Sequence, residues 1–113
     1  MTESIGIKLT ELCSGILPFY LSEAESDRYP YATYEQTVQE FRTKEGVYKI
    51  IADSFIRVYS DDSDQALQKA AAIREVLDAG SDDTYVIRFQ TENTTCVDNV
   101  WTVELQYYVK QSK

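Results

Sequence analysis

The order of helical and strand-like segments, α-β-β-α-β-β, predicts one α+β domain over residues 1–113. Its core is a mainly antiparallel four-stranded sheet with helices packed on one face. Three observations carry this expectation. Apolar residues recur at helical spacing in two segments, and they alternate with polar ones in three others. A chain of 113 residues, 43% hydrophobic and 27% charged, also has the size and composition of a single domain with its own core.

The first helix rests on Ile5, Leu9, Leu12 and Ile16, with Thr2 or Ser4 as its cap and Gly15 and Pro18 closing it. Residues 17–30 read as a connection, apolar through Leu17, Phe19, Tyr20 and Leu21 and acidic at Glu23, Glu25 and Asp27. Tyr29-Pro30 sets an extended entry into the first strand, 31–42, which is rich in Tyr, Thr, Val and Phe but lacks a clear apolar face. Such a strand belongs at an edge or in a projecting arm. Thr43-Lys44-Glu45-Gly46 has the length and the glycine of a hairpin loop.

The second strand, 47–59, places Ile50, Ala52, Ser54, Ile56 and Val58 on one face. Its other face carries Ile51, Asp53, Phe55, Arg57 and Tyr59, is amphipathic, and predicts a partial cover. The helix 62–79 has the sharpest pattern. Asp62 and Gln65 match a capping box, Ala66, Ala70, Ile73 and Leu77 form a stripe, and Gly80 supplies the stop. The triplet Ala70-Ala71-Ala72 suits a helix lying flat on a sheet. The last strands, 84–92 and 100–110, point Tyr85, Ile87, Phe89 and Trp101, Val103, Leu105, Tyr107, Val109 inward. The turn-rich linker 93–99 joins them as an antiparallel hairpin.

Composition removes several function classes. The chain has no histidine, so histidine-based triads, metal sites and pH switches are impossible within it. Its four glycines form no phosphate-cradling motif. The net charge of −8, with basic residues scattered, opposes sequence-independent binding to nucleic acid and to anionic lipid. The run Asp61-Asp62-Ser63-Asp64 has helix-capping rather than calcium-loop spacing, and Asp78, Asp82 and Asp83 read as a solvated loop. Cys13 and Cys96 fit no metal or redox spacing and read as buried small hydrophobes, reduced in an intracellular chain. Neither a signal peptide nor a membrane-spanning run is expected. Asp53 is the single acid–base candidate, and a pairing with Arg57 on the same strand face explains it more simply. No catalytic, cofactor-binding or metal residue emerges.

Nine tyrosines are the strongest compositional anomaly. The pattern leaves Tyr29, Tyr31, Tyr34, Tyr59 and Tyr108 exposed, and with Phe55 they are the candidate protein-interface residues. Two other readings stay open: tyrosines finishing the rim of a small sheet, and base stacking, which the acidic balance opposes.

The helix, the Tyr29-Pro30-Tyr31 entry, the hairpin, the strand IADSFIRVYS and the helix DSDQALQKAAAIREVLDAG together resemble the tail-terminator, or tail-completion, proteins of long-tailed bacteriophages and prophages. The likeness includes the segment Ile73 to Leu77 and the two closing strands. It implies a non-enzymatic structural protein without cofactors that forms a ring, commonly hexameric. Such a ring caps the tail tube and meets the tail tube protein on one side and the head–tail connector on the other. It is assembled in the bacterial host cytoplasm and is carried in the tail or neck of the virion. The 31–59 hairpin and the tyrosine-bearing faces would be subunit contacts, and an acidic lumen would let DNA pass by repulsion. The competing class is a small ligand-binding or regulatory α+β domain whose aromatics line a pocket.

Overall fold

The computed structural model describes residues 2–21 and 29–112. The elements are α1 (Thr2–Cys13), β1 (Phe19–Leu21), β2 (Tyr31–Thr43), β3 (Gly46–Ser60), α2 (Ser63–Asp78), β4 (Tyr85–Val97) and β5 (Val100–Ser112). The strands form one sheet in the order β1-β2-β3-β5-β4. All pairs are antiparallel except β1 with β2, which run parallel. The sheet is therefore five-stranded and mixed, rather than four-stranded. The additional strand pairs Phe19 with Ala32 and Leu21 with Tyr34, within the segment expected to be a plain connection. The expected caps Thr2 and Ser4, and the acidic residues Glu23, Glu25 and Asp27, lie outside the described side chains.

Both helices lie on one face. The side chains beneath them are Ala32 and Tyr34 of β2, the Ile50–Val58 alternation of β3, Ile87 of β4, and Val103, Leu105, Tyr107 and Val109 of β5. Ile5, Leu9 and Cys13 of α1 and Ala66, Ala70, Ile73 and Leu77 of α2 close the layer from above. Each large aliphatic side chain removed from water in this way stabilises the fold by about 1.5–3 kcal/mol. The covered face of β3 and β5 is the one the alternation predicts.

Local chemistry refines several expected features. The α1 stripe runs through Cys13, while Leu12 and Ile16 are only partly buried against it. Of the alanine triplet, Ala70 alone is fully buried. The Asp62 carboxylate caps α2 by accepting from Asp64 N–H at 3.0 Å. Gln65 does not return directly to the cap. The Ser60 hydroxyl accepts from Asp62 N–H at 3.1 Å and donates to Gln65 Oε1 at 2.7 Å, so a buried serine relays the second half of the capping box. Helix α2 ends at Asp78 with Ala79 as its C-cap, and close packing requires the glycine just beyond: a Cβ on Gly80 would lie 2.7 Å from Leu12 Cδ1 and 3.0 Å from the Val76 carbonyl oxygen.

The β4–β5 connection is much shorter than expected. Strand β4 continues through Thr94, Thr95 and Val97, and the turn is only Asp98-Asn99, at φ 51° and 64°. Asp and Asn tolerate that left-handed backbone, and the β-branched residues before them favour extension. The molecule measures 52 × 24 × 22 Å, the long axis matching the fifteen-residue β3.

Candidate interaction surface

The opposite face of the sheet carries no secondary-structure element among the described residues, so the cover expected over β3 is not seen there. Pairing places its side chains in rows: Tyr31, Tyr59 and Thr102; Thr33, Arg57 and Glu104; Glu35, Phe55 and Gln106; Thr37, Asp53 and Tyr108; Gln39, Ile51 and Lys110. This face is neither dry nor simply polar.

Four tyrosines gather at its β1 corner. Tyr29 stacks on Tyr31 with ring centres 5.6 Å apart, Tyr31 stacks on Tyr59 at 5.0 Å, and Tyr20 meets Tyr31 edge-on at 6.4 Å. Such ring pairs add about 0.5–1.5 kcal/mol beyond area burial. The stack holds its members rigid while Tyr29 stays 38% exposed. A preorganised aromatic patch loses little side-chain freedom when a partner covers it. Tyr20 belongs to this patch although its sequence context reads as a connection. The missing signal was its pairing partner: β1 sets Tyr20 beside Thr33.

Beside the stack, Arg57 Nε donates to Glu104 Oε2 at 2.7 Å, and its Nη1 lies 3.5 Å from Glu35 Oε1. Burial opposes the guanidinium charge, but Glu104, Glu35 and Tyr59 outweigh it and hold Arg57 charged more firmly than a free arginine. The expected Asp53–Arg57 pair is not formed. Arg57 turns to carboxylates on the neighbouring strands, which lie directly across it or within diagonal reach, while Asp53 is exposed between Thr37 and Tyr108.

Of the candidate interface residues, Tyr29, Tyr31 and Tyr59 come together, and Phe55 and Tyr108 lie partly buried on the same face one and two rows beyond Arg57. Tyr34 does not belong. It is 8% exposed and faces α1, stacked on Phe19 at 4.9 Å. Its register with Ile56 assigns it to the covered side, and Gly6 of α1 leaves room for its hydroxyl.

A second bare region is the outer half of β4, exposed from Gln90 to Asn99. Cys96 sits there in the open, contrary to the expectation of two buried thiols, because no element among the described residues covers this end of β4. Cys13 is buried, and burial pushes its thiol up to about 12, so it stays a protonated, inert small hydrophobe. Burial likewise raises the Tyr107 hydroxyl; Arg74 acts on it electrostatically, but no hydrogen bond of good geometry joins them.

No family model and no curated protein matches the sequence. Among solved structures, the chain is similar to one from the "Virion of native gene transfer agent (GTA) particle". The TM-score is 0.66 over 93% of this chain and 84% of that one, at 16% sequence identity. The likeness establishes a shared α+β fold over nearly the whole chain.

Proposed function

We propose that this chain is a structural protein of a phage-type virion, acting as a tail terminator. It forms a ring, six subunits in the family it resembles, that caps the tail tube and presents a surface to the head–tail connector. The observation that carries the reading is the bare sheet face with its stacked tyrosines, on a fold shared with a virion chain. A face that mixes aromatic, neutral polar and charged side chains has the composition of a non-obligate protein interface. Tyr29, Tyr31 and Tyr59, with Phe55 and Tyr108, are the proposed contacts, and Tyr20 joins them.

In this reading the protein does no chemistry and needs no cofactor. Its partners are its own copies, the tail tube protein and the connector, met in the host cytoplasm during assembly and retained in the virion. The −8 charge serves the ring by keeping passing DNA off its lumen. A stop codon in the gene, within the element that encodes it, tests the role. Unjoined heads and tails of irregular length are expected. Joined, infectious particles of normal tail length would contradict it.

A further inference from the structure

Among the described residues, both long edges of the sheet are covered at one end by a short piece of the same chain and bare along the rest. On β2, Ala32 N–H donates outward to the Pro18 carbonyl at 2.8 Å. Alternation then turns the backbone groups of Tyr34, Gln36, Val38 and Glu40 to the same side, away from β3. β1 occupies this side only as far as Tyr34. On β4, Asp82 N–H donates to the Tyr85 carbonyl at 2.8 Å, and the Ser81 hydroxyl accepts from Ile87 N–H at 2.9 Å. These contacts seal the start of the edge. The register shifts between Phe89 and Thr91, after which the outward groups are those of Glu92, Thr94 and Cys96. Two runs of equal length, 35–43 and 89–97, thus have no neighbour among the described residues. Within 89–97 there is one charge, Glu92, and neither proline nor lysine, the usual guards of an exposed edge.

We propose that 89–97 of one copy pairs antiparallel with 35–43 of the next, so that the sheet continues from subunit to subunit. The proposal rests on the ring reading above and supplies the way its copies join. Three properties of the edges support it. Strands β2 and β5 run one way and β3 and β4 the other, so a copy displaced by rotation about a ring axis presents β4 antiparallel to β2. Centring the two runs sets Thr94 opposite Val38. Both have outward backbone groups, and both lie on the helix-covered side of their own sheets. The acids brought together, Glu92 and Glu40, each have an arginine nearby, Arg74 at 3.9 Å and Arg42 at 2.9 Å.

The third property is closure. Within one copy Gln39 lies level with Lys110 and Asn93 level with Glu104, an offset of about 20 Å along the strand. Each copy adds β2, β3, β5 and β4, about 19 Å of sheet across the strands. A step of that shape returns on itself when the strands lean about 45° from the ring axis, which is at the upper end of the lean found in closed barrels.

Two variants of the full chain test the pairing. Thr94→Pro removes an outward N–H and leaves the ladder to β5 intact. It should keep the wild-type circular dichroism and thermal midpoint while losing ring-sized species in native mass measurements. Gln39→Cys with Asn93→Cys, in a Cys96→Ser background, places two thiols across a close pair and should give a disulfide-linked ladder on oxidation. Rings of unchanged mass in Thr94→Pro, or wild-type-like rings in which the cysteine pair stays unlinked, would overturn the edge pairing and leave the ring reading standing. A wild-type chain that forms no ring, alone or on tail tubes, would remove both.

Discussion

The two faces of this sheet are built from alternate residues of the same strands and meet different fates. On β5, Val103, Leu105, Tyr107 and Val109 are fully buried beneath two helices, whereas Thr102, Glu104, Gln106 and Tyr108 line a face on which no helix of the described residues lies. The first set is aliphatic and aromatic. The second mixes a hydroxyl, a carboxylate, an amide and a phenol. The covered face holds the fold together, and the open face is the one the proposed assembly would cover.

Substitution at adjacent residues gives the largest contrast. Leu105→Ala opens a cavity beneath α2 and should cost about 2–5 kcal/mol in urea unfolding. Tyr108→Ala, on the open side of the same strand, should cost about 1 kcal/mol or less. Equal losses would mean that the open face is a second core.

The helical cover itself provides the next effect. Gly80→Ala forces a methyl against Leu12 and the Val76 carbonyl and should destabilise by about 1–2 kcal/mol. Gly15→Ala, which meets nothing within 4 Å, is the control and should leave the melting temperature nearly unchanged. On the open face, Arg57→Met strands Glu104 and Glu35 in partly solvated positions. A loss of about 1 kcal/mol or less is expected, shrinking in high salt.

The smallest effect is a pH dependence on the helix side. Asp82 accepts from Lys8 Nζ at 2.9 Å and from the N–H groups of Thr84 and Tyr85, tying α1 to the start of β4. The Lys8 hydrogen bond, followed by those from the backbone, lowers its carboxyl from 3.8 to about 2. A depressed folded value means that the contribution is complete above the ordinary carboxylate range and is lost as pH falls. The stability gap between wild type and Asp82→Asn should therefore be constant near neutrality and narrow between about pH 4 and 2. A gap unchanged to pH 2 would remove the role given to Lys8.

The covered face was largely legible in the sequence, because burial on one side imposes a strict period of two on β3 and β5 and a stripe on α2. Both endpoints of that signal are local. The open face and the edges depend on pairing between distant segments, which periodicity does not report. Tyr34 shows this: within 31–42 nothing marks it as inward, and only its register with Ile56 and its stacking on Phe19 do so. Strand β1 is three residues long, too short to establish a period. The sequence reads β4 as shorter than it is because Asn93, Thr94 and Thr95 suit a loop as well as an edge strand. Asp98-Asn99 was the decisive turn signal within that linker. The sequence reads Gly80 as a stop, but what requires glycine there is contact with Leu12 across the fold. The tyrosine patch was found in composition, and its membership required the structure.

The central claim is that the bare surfaces join copies of the chain into a ring. Native mass measurement combined with electron microscopy, on the full chain alone and with tail tubes, tests this most directly. A ring with a central opening is predicted, near six times the 13.0 kDa subunit mass. A stable monomer or dimer under both conditions, gaining thermal stability from a small metabolite, would contradict it.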